Sequence, residues 1–156
     1  TILDADALNL LCKNPGWLKH SNFILTPHPG EASRLINQPT STIQSNRFDA
    51  VKAIQNKWGG SILLKGSGSL ICHDNDIIKL CPYGNPGMAT GGMGDVLSGI
   101  LGGLVAQGLN KEESLELAVC LHAHAADIAA EQDGQRGLLA TDLIPIARLL
   151  LNNKLS

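Results

Sequence analysis

The residues with the clearest chemical potential are Gly91-Gly92-Met93-Gly94-Asp95, which lead straight into a helical stretch. Glycine lets a backbone turn tightly and approach an anion closely. The free N–H groups of a helix N-terminus then point at that anion, and the helix dipole favours negative charge there. This arrangement suits phosphate. A carboxylate repels phosphate, so Asp95 at the mouth fits poorly with anion binding alone. It fits a site where a substrate hydroxyl loses its proton as its oxygen attacks a phosphoryl group. The competing reading is a glycine-rich turn in which Asp95 is an ordinary N-cap.

Two further loops carry polar groups. Lys65-Gly66-Ser67-Gly68-Ser69 offers a cation, hydroxyls and backbone donors after an apolar run, without the spacing of a Walker loop. The alternative is a turn with an exposed lysine. His28-Pro29-Gly30-Glu31 is stiffened by Pro27 and Pro29. His28 could orient a substrate, and Glu31 could hold water on Mg²⁺, which prefers oxygen ligands and keeps its waters. The alternative places Glu31 in a first helical turn, where the dipole welcomes it. His122, His124 and Asp127 share one helix, but His122 lies five residues from Asp127 and does not face the side that His124 faces, so a metal site is not expected. Asp4, Asp6 and Asp142 read first as helix caps.

The elements that must hold these loops alternate. Phe23–Leu25 and Ser61–Lys65 read as short buried strands, and Thr1–Leu3 reads as the end of another. A short helix follows Asp6 and stops at Asn14-Pro15-Gly16. Another runs from Glu31 to Ile36. An amphipathic helix is predicted over Thr42–Trp58, with Phe48, Val51, Ile54 and Trp58 on its apolar face and Gly59-Gly60 at its end. Leu70–His73 and Ile77–Cys81 flank Asp74-Asn75-Asp76 as a hairpin. Helices are predicted over Asp95–Gln107, almost without charge and therefore buried, over Lys111–Glu131, and over Asp142–Asn152. Strands alternating with helices predict an α/β layer fold with a mainly parallel sheet, its ligands bound beyond the carboxyl ends of the strands. No repeat and no internal linker is seen.

Composition narrows the function. A chain of 156 residues with 44% hydrophobic content can bury the core of one ordinary domain. Charged residues make up 17%, against a usual ~25%, which predicts that further chain or a partner subunit covers part of the surface. The net charge is −2 and only five residues are aromatic, which argues against nucleic-acid binding. The uncharged run from Val96 to Asn110 falls short of the ~20 residues of a membrane span. No secretory leader pattern opens the chain. Cys12, Cys72, Cys81 and Cys120 form no metal spacing and are expected to be buried thiols in a reducing compartment.

Taken in order, Leu25–Glu31, Leu64–Ser69 and Gly84–Gly99 resemble the nucleotide-dependent NAD(P)H-hydrate dehydratases. Leu121-His122 with Asp127, and Gly137–Asp142, are similar to the tail of that family. The resemblance implies a ribokinase-like, three-layer α/β/α fold with a mainly parallel sheet and a β-hairpin. It implies that residues 1–156 are the C-terminal portion of one such domain, beginning at an interior strand. It further implies a cytoplasmic repair reaction on the S-epimer of hydrated NADH or NADPH, driven by ADP or ATP with Mg²⁺, alongside a fused or separate epimerase domain. By the same resemblance Lys65, Gly66, Ser67, Gly68, Ser69 and Gly94 contact the nucleotide. His28 and Asp95 contact the hydrated dinucleotide, Asp95 is the catalytic base, and Glu31 helps to organise the metal. Apolar Ala- and Leu-rich helices predict a homo-oligomer. Two other readings stay open: a kinase of a hydroxymethyl vitamin precursor, against which His28 speaks because such kinases usually carry Asn there, and a nucleotide-binding module without turnover.

Overall fold

Apolar runs without alternation suit strands covered on both faces. The computed structural model describes residues 1–14, 19–75 and 77–153. In it such runs form β1 (Ile2–Leu3), β2 (Ile24–Leu25) and β3 (Ser61–Leu64), side by side and parallel. An antiparallel β4 (Ser69–Cys72) follows, with Leu64 opposite Leu70 and Ile62 opposite Cys72. β5 (Ile78–Cys81) completes a five-stranded sheet in the order β1-β2-β3-β4-β5. β4 and β5 are neighbours, as the predicted hairpin requires; Asp76 at its turn lies outside the described residues. The sequence reading missed a second hairpin. Because β3 and β4 pair antiparallel, residues 65–68 are the tip of that hairpin, and its register aims them.

The chain divides into two compact units, residues 1–80 and 81–156. In the first, α1 (Asp6–Lys13), α2 (Pro29–Ile36), α3 (Thr40–Ser45) and α4 (Arg47–Trp58) accompany the sheet. Leu8, Leu11, Leu35, Ile43, Val51 and Ile54 join Leu25, Ile62 and Leu64 in one core cluster. Strand side chains alternate between faces, and Ile24, Leu63 and Ile71 on the other face are buried as well.

Three expectations change here. The single helix predicted over Thr42–Trp58 is two helices. Asn46 leaves helical geometry (φ −139°, ψ 67°) and its amide donates to Asp49 Oδ2 at 2.5 Å, a local bond that competes with helix continuation. The turn rotates Phe48 outward, leaving it 53% exposed, while Val51, Ile54 and Trp58 stay buried. Asp4 and Asp6 do not cap α1: Ala5 holds the N-cap position without a side-chain bond. Asp6 accepts from Asn9 instead. Of the predicted stop, Asn14 follows α1 and donates to Leu10 O, while Pro15 and Gly16 lie outside the described residues.

In the second unit the chain runs through a 3₁₀ turn (Pro86–Met88), α5 (Met93–Ala106), α6 (Lys111–Asp133), a second 3₁₀ turn (Ala140–Asp142) and α7 (Leu143–Leu151). Alanines at 125, 126 and 129 of α6 let Met93, Leu138, Leu143 and Ile146 close over them. α5 is not buried all round, as its lack of charge suggested. It buries the stripe Met93, Leu97, Leu101 and Leu104, while Gly99 and Gly103 are exposed. The last helix is preceded by a 3₁₀ turn because Asp142 Oδ2 reaches back to the Leu139 N–H at 2.8 Å rather than capping forward.

Gly60 sits where the β2–β3 ladder begins. Its φ is +69°, and a Cβ there would lie 2.2 Å from the Phe23 carbonyl oxygen. Gly99 would place a Cβ in open space. Gly60→Ala is expected to cost on the order of 3 kcal/mol or more, and Gly99→Ala to stabilise by roughly 0.5–1 kcal/mol. Urea unfolding of both variants checks the contrast.

Candidate functional site

Parallel strands deliver their following loops to one edge of a sheet, and two of the predicted site segments lie there beside Asp4. Asp4 follows β1, Thr26 to His28 follow β2, and Lys65 follows β3. Backbone bonds tie them at that edge: Thr26 N–H donates to Leu3 O at 3.2 Å and Lys65 N–H to Pro27 O at 2.9 Å. Lys65 Nζ meets Asp4 Oδ1 at 2.9 Å, both side chains mostly shielded from solvent. The carboxylate read as a cap is thus the lysine's partner.

His28 is the N-cap of α2. Its Nδ1 accepts from the Gly30 N–H at 3.0 Å, while its own N–H donates to Glu31 Oε2 at 2.8 Å. Accepting at Nδ1 leaves the proton of the neutral ring on Nε2. Nε2 lies 3.4 Å from Glu31 Oε1, and half of the ring's surface faces solvent. Glu31, by contrast, is buried. It therefore sits in the first helical turn and also holds the histidine.

The hairpin tip at 65–68 has a support that the sequence reading missed. Arg47, the first residue of α4, donates from Nη1 to Ser67 O at 2.5 Å and from Nη2 to Leu64 O at 3.2 Å. A Cβ on Gly66 would lie 3.0 Å from that guanidinium. Partial burial lowers the Arg47 pKa, and two carbonyls compensate the charge. Ser69 Oγ closes the tip on Gly66 O at 3.3 Å. The sequence carried no signal for it, because one continuous helix was expected through Asn46 and the break that makes Arg47 a helix start is seen only in the fold.

In the second unit the glycine turn behaves as its residues suggest. Gly92 adopts φ +87° as the N-cap of α5, and no side chain caps the helix. The first N–H groups of α5, from Met93 through Asp95, are the ones a helix leaves without an intrahelical partner. Asp95 stands third in the helix and is exposed, so it is not the N-cap. A Cβ on Gly92 would lie 3.3 Å from the Ala140 Cβ, so the second 3₁₀ turn packs against this corner.

The approach to that turn is laid along one face of α6. Cys120, His124 and Asp127, four and three apart, share that face. Cys81 Sγ donates to Val119 O at 4.0 Å, one residue before Cys120. The Tyr83 and His124 rings lie 4.9 Å apart. Asp127 accepts from the Gly84 N–H and from Asn85 Nδ2, each at 2.9 Å. Asn85 in turn accepts from the Gly87 N–H at 3.0 Å. Asp127 is therefore a loop anchor, which its place three residues after His124 could have suggested. Cys72 and Cys81 are buried as expected, but Cys12 and Cys120 are only partly so. Among the described residues no group of three or more His, Cys, Asp or Glu side chains could hold a metal. No described helix is long and apolar enough to cross a membrane.

The sheet, its helices and the glycine-led α5 define a ribokinase-like α/β protein. A ribokinase-like superfamily protein from Enterococcus faecalis superposes with a TM-score of 0.79 at 31% identity, over 98% of this chain and 51% of that one. The chain also matches the model of the NAD(P)H-hydrate dehydratase family over residues 1–148, and it belongs to that family. It is 53% identical over 151 residues to a bifunctional NAD(P)H-hydrate repair enzyme of Coxiella burnetii, covering 97% of this chain and 30% of that protein. An ADP/ATP-dependent NAD(P)H-hydrate dehydratase from Bacillus subtilis, co-crystallized with ATP/Mg²⁺ and soaked with CoA, superposes with a TM-score of 0.85 at 29% identity, over 99% of this chain and 56% of that one. The chain thus spans about a third to a half of the length of these proteins.

Two tests address the second unit. Asp127→Ala removes two hydrogen bonds to a charged acceptor, each worth ~1.5–3 kcal/mol. Amide exchange at Gly84 should accelerate by roughly tenfold or more, read by hydrogen-exchange NMR. Burial first, with Cys120 and Asp127 adding to it, pushes the Cys81 thiol up to about 11. An unfolded thiol titrates near ~8.5, so the unfolded chain loses this proton first. The stability tied to it is intact below that value and is lost as pH rises towards 11. Between pH 9 and 11 the parent should lose on the order of 2 kcal/mol more than Cys81→Ser, measured by urea unfolding across that range.

Proposed function

We infer that this chain carries the reaction site of a nucleotide-dependent dehydratase that returns the S-epimer of hydrated NADH or NADPH to the dinucleotide. The observation that carries the reading is Asp95: an exposed carboxylate third in a helix whose N-terminus no side chain caps. Family membership and the likeness to the Bacillus subtilis enzyme support it.

The chemistry follows from leaving groups. Hydroxide leaves poorly because water has a pKa of ~15.7. Phosphate, with a second pKa near ~6, leaves readily. Asp95 takes the proton of the hydrate's hydroxyl as that oxygen bonds to the terminal phosphorus of ADP or ATP, and the bond to the nucleotide's bridging oxygen breaks. The phosphorylated hydrate then loses phosphate as the nicotinamide nitrogen supplies electrons, and loss of a proton from the neighbouring ring carbon to solvent restores the double bond.

In the first unit, Lys65, Gly66, Ser67, Gly68 and Ser69 are assigned to the nucleotide. Asp4 orients the lysine and Arg47 supports the tip. His28 is assigned to the hydrated dinucleotide, with its ring presented by the cap of α2. In the second unit, Gly94 is assigned to the nucleotide, and Asp95 to the hydrate as base. Magnesium, when bound, spreads the phosphate charge. The donor set fits an ion that arrives with the nucleotide and keeps its waters, since Glu31 is a single carboxylate already engaged by the His28 N–H. Glu31 would then hold metal-bound water. We read residues 1–156 as the C-terminal portion of one such domain, working in the cytoplasm beside a fused or separate epimerase. The exposed Ile144, Leu149 and Leu151 of α7 favour self-association of the protein.

Incubation with hydrated NADH, Mg²⁺ and ADP or ATP should restore the nicotinamide absorbance. Asp95→Asn should lower kcat by about 10²–10⁴-fold while ADP binding, read by calorimetry, persists. Absence of recovery with either nucleotide overturns the reading, ADP binding without turnover makes the chain a binding module, and a stable phosphorylated product makes it a kinase.

A further inference from the structure

Arg47 opens α4 and turns its guanidinium to the hairpin between β3 and β4. Nη1 donates to the Ser67 carbonyl at 2.5 Å and Nη2 to the Leu64 carbonyl at 3.2 Å. Its Nε is buried and makes no hydrogen bond among the described residues. No described carboxylate forms an ion pair with it. Among the described residues, the polar contacts of this side chain therefore go to hairpin backbone alone.

A peptide unit is planar, and in the trans form its C=O and N–H point in opposite directions. None of the described peptides is cis. Leu64 shows the consequence. Its carbonyl faces Arg47, and the N–H of the same unit, on Lys65, faces away and meets Pro27 O at 2.9 Å. Ser67 repeats the arrangement. Its carbonyl faces Arg47, so the Gly68 N–H points away from the guanidinium. Gly68 adopts φ +67°, in the left-handed region that glycine tolerates. Gly66 leaves room for the approach, since a Cβ there would lie 3.0 Å from Arg47 Nη2.

We propose that Arg47 is a positioning residue for the nucleotide: by holding the Ser67 carbonyl it sets the Ser67–Gly68 peptide so that the Gly68 N–H donates to a phosphate oxygen of ADP or ATP. This role rests on the reading that Lys65–Ser69 takes the nucleotide, and it names the donor atom. A charge-assisted bond at the carbonyl also polarises the peptide, which makes the N–H at its other end a stronger donor. Only a planar fork can hold two carbonyls in this way; a lysine ammonium keeps the charge but is a single point on a flexible stem. The group recognised is the phosphate that ADP shares with inorganic pyrophosphate, not the base.

The test labels the full chain with ¹⁵N and titrates it with ADP and with inorganic pyrophosphate, each with Mg²⁺. The Gly68 amide proton should move downfield with both ligands as it gains a phosphate acceptor. This measurement needs no variant, so it stands even if a substitution disturbs folding. By calorimetry, ADP affinity should fall about 10–100-fold in Arg47→Ala and in Arg47→Lys. Guanidinium at millimolar concentration, well below denaturing levels, should return the Gly68 shift and the ADP affinity to Arg47→Ala, which a loss of folding would not allow. A Gly68 amide that stays in place while ADP binds, an Arg47→Lys variant that binds ADP as tightly as the parent, or an affinity loss that guanidinium does not relieve would each overturn the proposal alone. Failure of the unmodified chain to bind either ligand would overturn the reading of Lys65–Ser69 as the nucleotide segment, and the role of Arg47 with it.

Discussion

Everything at the candidate site's sheet edge rests on a short ladder of backbone bonds between parallel strands. Ile24 N–H reaches Thr1 O and Ser61 N–H reaches Phe23 O, both at 2.9 Å, and the same register continues past the strands to Thr26 and Lys65. A slip of one residue would turn each following side chain to the other face. Asp4 and Lys65 would then no longer meet, and His28 would leave the start of α2. The ladder is only two residues deep between β1 and β2, so the burial of Leu3, Leu25, Ile62 and Leu64 has to hold it.

The two units solve the same problem by different means. In the first, a flexible lysine and a half-exposed histidine are steadied by groups behind them: Asp4 for Lys65, Arg47 for the hairpin tip, Glu31 for His28. In the second, the exposed Asp95 stands in the first turn of α5. The preceding loop is held instead, by Asp127 and its neighbours along α6. Ordering a loop in advance spares entropy that a ligand would otherwise have to supply.

Charge follows the same logic. Lys65 and Arg47 are the cations that reach the hairpin, and each meets an acceptor within the unit. At α5 the favourable field comes from backbone N–H groups, which cost no desolvated cation.

Much of this was legible in the residues. Short apolar runs gave the strands, the Gly-rich segments located the loops, and the order of motifs pointed to the family, because local chemistry and backbone freedom are written residue by residue. What stayed hidden were distant pairings. Nothing adjacent to Asp4 announces Lys65, nothing near Arg47 announces Ser67, and nothing near Gly84 announces Asp127. The break at Asn46, the outward turn of Phe48 and the open face of α5 were likewise decided by which surface found a partner. Sequence alone determined which groups could react and where the chain could bend. Only the tertiary structure decided which of them meet, because a contact between remote residues depends on strand register and helix packing that the whole core sets at once.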